Sequence, residues 1–188
     1  MEDRSLAMPE LPAGGGLLLR PWRLDDVAAV REASRDPYIP LITTVPSEYS
    51  EAEGVAFVRR QWSRAAEGAG YSFAIADAGT GDAVGQIGLW PGPHGRAEVG
   101  YWVAGSARGR GVAVAALVAI SSWGLGPLGL ARLELHIEPW NTPSWRAAER
   151  AGFAREGLLR SWREVGGERR DMCMYGKVTA DLAGTLGA

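Results

Sequence analysis

A nearly all-apolar helix between two alternating segments is the feature that most constrains the fold. Residues 112–123 are apolar on almost every side, and a helix of that kind has to be buried on more than one face. The segments 97–103 before it and 132–137 after it alternate apolar and polar residues, which is typical of strands. This order predicts a parallel β-α-β crossover in the middle of a sheet.

The flanking segments predict further strands and helices. The strand candidates are 17–20, 71–77, 83–90, 153–162 and 171–178. The helix candidates are 25–35, a segment from the capping pattern Ser50–Glu53 to about 68, and 142–152. The proline-rich stretch 36–49 is predicted to be a loop. The fold class is therefore α/β (α+β by some schemes), with a mixed, mostly antiparallel sheet of about seven strands, a central parallel step and flanking helices.

Length and composition predict one domain and exclude several function classes. The 188 residues are divided into a flexible leader (1–16), a single domain (17–180) and a C-terminal tail (181–188). The net charge of −2 with no basic run argues against nucleic acid as a partner. A single cysteine, Cys173, is too few for a disulfide or a cysteine zinc site, and no metal is predicted. No secretory signal or membrane span is visible, so we expect a cytoplasmic protein with no membrane partner.

The loop Arg108–Ala113, between the fourth predicted strand and the buried helix, has the chemistry of an anion site. Gly109 and Gly111 allow a tight turn and a close approach of the backbone to a ligand. The helix that begins at Val112 points unpaired N–H groups and its positive dipole end at the same place. Arg108 and Arg110 add cationic donors. The loop therefore predicts a phosphate or pyrophosphate site.

Two common phosphate-binding motifs are excluded by their context. A nucleoside triphosphatase loop ends in Gly-Lys-Ser/Thr, whereas this loop continues Gly-Val-Ala, and Lys177 is the only lysine of the chain. A dinucleotide-binding loop follows the first strand of its fold, whereas this loop follows the fourth.

The loop and its surroundings resemble the GNAT superfamily of N-acetyltransferases, in its RimJ/RimL-like branch. The family carries Arg/Gln-x-x-Gly-x-Gly/Ala between its fourth strand and third helix, and Arg108-x-x-Gly111-x-Ala113 matches it. The strand Glu98–Val103 and the pattern Asn141-x-x-Ser144 followed by Gly152-Phe153 are similar to the RimJ/RimL-like branch. The order of these motifs fits from about residue 17 to 178.

The resemblance implies acetyl-CoA as a co-substrate and transfer of its acetyl group to a primary amine by direct attack in a ternary complex. It implies that the acceptor is a protein N-terminal amine or a small-molecule amine, a choice that the sequence leaves open. The sequence also leaves the oligomeric state open, and a homodimer is one alternative. It also implies which residues bind the cofactor. These are Arg108, Gly109, Arg110, Gly111, Val112 and Ala113 for the pyrophosphate, and Trp102, Val103 and Asn141 for the pantetheine arm.

Glu98 and Ser144 are the candidate catalytic residues. Glu98 is a candidate base for the amine, directly or through water, and the alternative is a structural partner for an arginine. Ser144 is a candidate proton donor to the leaving thiolate, and the alternative is a hydroxyl of the first helical turn. Many GNATs have a tyrosine seven residues after the asparagine, where this chain has Ala148. His136 is a further candidate base, or a polar side chain facing outward from its strand.

Aromatic residues and the proline-rich loop are candidates for the acceptor side. Trp90, Trp102, Trp140 and Trp145 fall at predicted strand ends and loops, where they form either an aromatic wall or part of the core. Tyr38 lies in the loop that is predicted to shape the entrance. A non-catalytic acyl-CoA binding or sensing module has the same glycine loop. Glu98 and Ser144 favour an enzyme over it, and so does the expectation that no regulatory domain is attached.

Overall fold

Alternating apolar residues build a single eight-stranded sheet in the computed structural model, which describes residues 8–186. The strands are β1 (Leu11–Ala13), β2 (Leu17–Arg20), β3 (Tyr71–Asp77), β4 (Ala83–Pro91), β5 (Arg96–Val103), β6 (Arg132–Ile137), β7 (Ala154–Val165) and β8 (Glu168–Val178). The helices are α1 (Val27–Ser34), α2 (Ile39–Ile42), α3 (Glu51–Ala66), α4 (Val112–Leu125) and α5 (Thr142–Arg150). Short 3₁₀ turns precede α1, β5 and α4, and another follows β8.

The topology confirms the predicted fold class. The strand order is β1-β2-β3-β4-β5-β6-β8-β7, and all neighbours are antiparallel except β5 and β6, which are parallel. Helix α4 makes the crossover between these two parallel strands, as the sequence predicted. No helix in residues 8–186 is long and apolar enough to cross a membrane.

Three segments differ from the prediction. Strand β1 lies inside the predicted leader and extends the sheet by pairing Leu11 with Leu19, while residues 1–7 lie outside the described part of the chain. Helix α2 occupies part of the predicted loop because Asp36 Oδ1 accepts the N–H groups of Tyr38 and Ile39 at 2.8 and 3.0 Å. The predicted tail begins within a 3₁₀ segment, Thr179–Leu186.

Helix α4 is buried against one face of the sheet. Ala116, Leu117 and Ile120 have no exposed surface, and Gly124 packs directly on Leu89 and Leu133. Its neighbours come from the sheet and from α5, so apolar residues are favourable on nearly all of its sides. This confirms the burial that the composition of the helix predicted.

The other face of the sheet carries a second core and a buried polar network. Trp102 packs there with Trp22 and Phe57 beneath α1 and α3. Its indole Nε1 donates to Gln86 Oε1 at 2.7 Å, and Gln86 Nε2 donates to the Ser72 hydroxyl at 2.7 Å. Because these buried polar groups bond one another, the orientation of Trp102 is fixed.

The parallel ladder between β5 and β6 is short. It joins Arg96 to Arg132, Ala97 to Leu133 and Glu98 to Glu134, and among the described residues no later pair follows. Beyond this point β5 stays paired with β4 through Val103, and β6 stays paired with β8 through Ile137. The two strands therefore present open edges to each other in the middle of the sheet.

A buried ion pair fixes the start of α1 to the sheet. Arg20 binds Asp26 through its two terminal guanidinium nitrogens, Nη1 at 2.8 Å and Nη2 at 2.7 Å, and both side chains are buried. The Arg23 N–H donates to the same carboxylate at 2.7 Å, and Arg20 also donates to the Gly81 carbonyl at 2.6 Å. The pair thus connects β2, the start of α1 and the β3–β4 turn.

Asp26→Asn removes the charge that Arg20 needs inside the protein. We expect a loss of about 3 to 5 kcal/mol in the free energy of unfolding, because an unpaired buried guanidinium remains. Urea unfolding of the variant measures this loss, with Asp25→Asn as the control because Asp25 is adjacent and exposed. Equal stability of the two variants would contradict the structural role of the pair.

Candidate active site

A cleft of about 1360 Å³ opens where β5 and β6 separate. Its walls are the open strand edges, the loop before α4, the first turns of α4 and α5, and the segment around α2. Of the residues that the sequence singled out, it brings together Glu98, Trp102, Val103, Arg108, Gly109, Gly111, Val112, Ala113, Asn141 and Ser144. Arg110 is exposed and is not among the residues that line it.

The glycine loop forms one end of the cleft. Gly109 and Gly111 have φ angles of 75° and 78°, a left-handed conformation that favours glycine. A Cβ atom built on either residue would have no described atom within 4 Å, so the backbone here is open to a ligand. The first hydrogen bond of α4 runs from the Ala115 N–H to the Gly111 carbonyl at 3.1 Å, which leaves the earlier N–H groups of the helix without intrahelical acceptors. This end fits a pyrophosphate.

Arg108 connects the glycine loop to the segment around α2. Its Nη2 lies 2.7 Å from Asp36 Oδ2, and its Nε donates to the Val103 carbonyl at 3.1 Å. Burial would raise the pKa of Asp36, but the N–H groups that cap α2 and the Arg108 guanidinium outweigh it and lower the pKa. The charge of Arg108 is therefore already paired, which its sequence position did not reveal.

The middle of the cleft is bordered by β5 and α5. The side chain of Trp102 is buried in the second core, so β5 offers the cleft mainly its backbone edge at this position. Asn141 precedes α5 and caps it, because its Oδ1 accepts the Ser144 N–H at 3.3 Å. The cap accounts for an asparagine here even without a ligand, so its predicted contact with the pantetheine arm stays a prediction.

Ser144 faces a tyrosine that the sequence analysis did not single out. The hydroxyls of Ser144 and Tyr101 are 2.7 Å apart, and either one can be the donor. Tyr101 lines the cleft, and burial raises the pKa of its phenol. Ala148 has no exposed surface and packs in the main core, so the family's usual tyrosine position does not open onto the cleft. The phenol of Tyr101 nevertheless contacts Ser144, but it comes from β5, whereas the family's usual tyrosine position lies on α5.

Glu98 lies beside an arginine and a histidine. Arg163 Nη2 donates to Glu98 Oε1 at 2.6 Å, and His136 Nδ1 lies 3.5 Å from the same oxygen. Burial of the carboxyl would raise its pKa, but His136 and Arg163 outweigh burial and lower the pKa of Glu98 to about 2. A carboxylate held in this way is a weak base. The arginine partner is the alternative that the sequence left open, and the catalytic role stays a prediction.

Aromatic and apolar side chains surround the other end of the cleft. Tyr38 donates a short hydrogen bond to Glu138 and packs edge-on against Trp140, with 4.9 Å between ring centroids. We call the exposed residues at this opening the rim: Leu41, Trp140 and Trp162, which are 52%, 58% and 50% exposed. Trp90 also lines the cleft and packs on Gly100, whereas Trp145 packs against the main core.

Comparison with known proteins agrees with the fold. The family model for the acetyltransferase (GNAT) domain matches residues 16–154, and the chain belongs to this family of enzymes. RimJ from Mycobacterium smegmatis, solved in complex with CoA-disulfide, is 29% identical, with a TM-score of 0.78 over 93% of this chain and 88% of that one.

Two further relatives extend the likeness over most of the chain. The N-acetyltransferase p20 of Bacillus licheniformis is 27% identical over 170 residues, which are 89% of this chain and 96% of that protein. The microcin C7 self-immunity acetyltransferase MccE, solved with acetyl-CoA and AMP, is 19% identical, with a TM-score of 0.75 over 94% of this chain and 99% of that one. At this level of identity, the likeness to MccE shows a shared fold alone.

Arg163→Gln removes the nearest positive charge from Glu98. We expect the pKa of the Glu98 carboxyl to rise from about 2 toward its ordinary value of 4.5, as measured by ¹³C NMR titration. Because the lowered pKa stabilises the folded protein only while the carboxyl is charged, the contribution is present above pH 4.5 and is lost as the pH falls toward 2. Arg169→Gln, an exposed position on the same hairpin, is the control and should leave this titration unchanged.

Proposed function

We propose that the protein transfers the acetyl group of acetyl-CoA to a primary amine, with the N-terminal amine of a polypeptide as the first acceptor to test. The observation that carries the proposal is the cleft between the open edges of β5 and β6, which has the glycine loop at one end and the rim at the other. Donor and acceptor thus have separate routes to a common centre, as direct attack in a ternary complex requires.

The glycine loop supports acetyl-CoA as the donor. The backbone of residues 108–113 offers N–H groups, a helix N-terminus and free space at Gly109 and Gly111. Those features suit the pyrophosphate, and the open edge of β5 at Trp102 and Val103 suits the amide groups of the pantetheine arm. The thioester is the activated group that the bound donor supplies.

The rim supports a polypeptide acceptor. A peptide N-terminus has to enter the cleft while the rest of its chain stays outside, and the rim is the exposed surface that such a chain would meet. The exposed indoles of Trp140 and Trp162 together with Leu41 offer apolar surface to the first side chains of a peptide. A small amine needs no such surface.

The pair formed by Ser144 and Tyr101 supports proton delivery to the leaving group. A thiol has an ordinary pKa of about 8.5, so at neutral pH a departing thiolate gains from a nearby donor. A serine hydroxyl alone is a weak acid, but one that accepts a hydrogen bond from a phenol is a better donor. The 2.7 Å contact between the two hydroxyls permits this relay.

Thiol release from acetyl-CoA, measured with a panel of acceptors, tests the proposed function. The panel contains short peptides with free N-termini, the same peptides with blocked N-termini, polyamines, amino acids and amine-bearing antibiotics. Turnover with free but not blocked peptides supports the proposal. Turnover with small amines alone keeps the acetyl transfer and rejects the polypeptide acceptor, and no turnover with any amine rejects the function.

Gly111→Val tests the donor site. Valine is strained at a φ of 78° and fills the space next to the loop backbone, so we expect acetyl-CoA affinity to fall at least tenfold, about 1.4 kcal/mol. Gly129→Val is the matched control, because Gly129 has a φ of 73°, equally open surroundings and no place in the cleft. Calorimetry that finds the same affinity in both variants would reject this donor site.

Ser144→Ala and Tyr101→Phe test the relay. We expect each to lower kcat roughly 10- to 100-fold at unchanged acetyl-CoA affinity, the low end of general acid–base effects. The double variant should lose little more than either single variant, since both act through one proton path. Tyr175→Phe is the control, as a buried tyrosine outside the cleft. Additive losses, or a lower melting temperature with normal turnover, would contradict the relay.

A further inference from the structure

We propose that His136 is the base that takes the proton from the acceptor amine, and that Glu98 and Arg163 are positioning residues that hold its ring. This inference rests on the proposed acetyl transfer and adds a residue and a role to it. It assigns the predicted role of Glu98 to the neighbouring side chain.

The burial of His136 is the first observation. Its side chain is 6% exposed, yet neither ring nitrogen has a hydrogen-bond partner among the described residues. Buried polar groups in proteins are almost always bonded, so an unpaired imidazole calls for an explanation. His136 also lines the cleft. A ring nitrogen reserved for the incoming acceptor, or for a water molecule next to it, explains both facts.

The position of Glu98 is the second observation. Its Oε1 lies 3.5 Å from His136 Nδ1 and 2.6 Å from Arg163 Nη2. A carboxylate facing Nδ1 favours the tautomer with its proton on that nitrogen, and the lone pair of Nε2 is then free. The Arg163 guanidinium keeps Glu98 ionised and in place. Glu98 itself is a poor proton acceptor because its charge is already paired.

The charges around His136 come from several elements. Glu98 faces it from β5 and Arg163 from β7, and the Trp162 ring lies 5.6 Å from the imidazole. The other titratable groups at this end of the cleft are Tyr38, Glu138, Glu164 and Arg170. Tyr38 and Arg170 are both engaged with Glu138. A positive charge that forms on His136 therefore has the Glu98 carboxylate beside it.

The proposed step transfers one acetyl group and moves two protons. The acceptor nitrogen attacks the thioester carbonyl, and its N–H proton passes to His136 Nε2, directly or through one water molecule. The C–N bond forms, the C–S bond breaks, and the sulfur leaves with the electron pair. The thiolate takes a proton from the Ser144 and Tyr101 pair, and the pair regains a proton from solvent. The amide product is neutral, and His136 returns its proton to solvent before the next turnover.

The tautomer of His136 gives a test that does not depend on activity. The chain has two histidines, His94 and His136, so their ring ¹⁵N signals can be assigned by single substitutions. At a pH where both rings are neutral, we expect His136 to carry its proton on Nδ1. Glu98→Gln should abolish this preference and leave His94 unchanged. A proton on Nε2 of His136 in the wild type would overturn the proposal.

Kinetics of His136→Gln give the second test. We expect kcat with the best amine of the panel to fall on the order of 10²- to 10⁴-fold, with acetyl-CoA affinity unchanged by calorimetry. The acidic limb of the pH–rate profile should differ from that of the wild type in this variant. His94→Gln is the matched control, because His94 lies in the exposed turn between β4 and β5.

The outcomes separate this inference from the proposed function. If the wild type releases thiol with an amine and His136→Gln does so at the same rate and with the same acidic limb, His136 is not the base and the acetyl transfer stands. If His136→Gln only lowers the melting temperature, the residue is structural. If the wild type releases thiol with no amine, the proposed function fails and the inference fails with it.

Discussion

The separation of β5 from β6 is the constraint on which the site depends. Three residue pairs hold the strands together, and after Glu98 and Glu134 each strand is held by its other neighbour alone. Backbone groups inside a sheet need partners, so open edges in the middle of a sheet are a place where another extended chain can bind. The same separation brings side chains from both strands, Tyr101 and His136 among them, to one cleft.

One ion pair and two hydrogen bonds connect the two ends of this cleft. Arg108 binds Asp36, and Asp36 caps α2 next to Tyr38. Tyr38 in turn bonds Glu138 at the end of β6. A short chain of charged and hydrogen-bonded contacts therefore joins the glycine loop to the end of the cleft at Glu138. These contacts explain why a segment with three prolines forms an ordered wall and not the open loop that its composition indicates.

The central fold could be predicted because its signals are local. An all-apolar helix between alternating strands, a double-glycine turn and the capping residue Ser50 are each determined by residues close together in the chain. The features that could not be predicted from the sequence depend on contacts between residues that are far apart in the chain. Strand β1 has three residues and no clear alternation, and it exists because β2 offers it an edge. The partners of Glu98 and Ser144 lie 65 and 43 positions away in the chain, and no spacing rule indicates such pairs.

The roles that we propose for Glu98 and His136 depend on the environment of each side chain as well as on its residue type. Judged by residue type alone, the carboxylate of Glu98 is the expected base for the acceptor amine. In the structure, Arg163 pairs with the Glu98 carboxylate, whereas the imidazole of His136 beside it is buried and neither ring nitrogen forms a hydrogen bond with a described residue. A base needs a lone pair that is free to take up a proton, and the Glu98 carboxylate is already engaged by Arg163. In our proposal the imidazole of His136 therefore takes the proton, and the Glu98 carboxylate holds its ring in place.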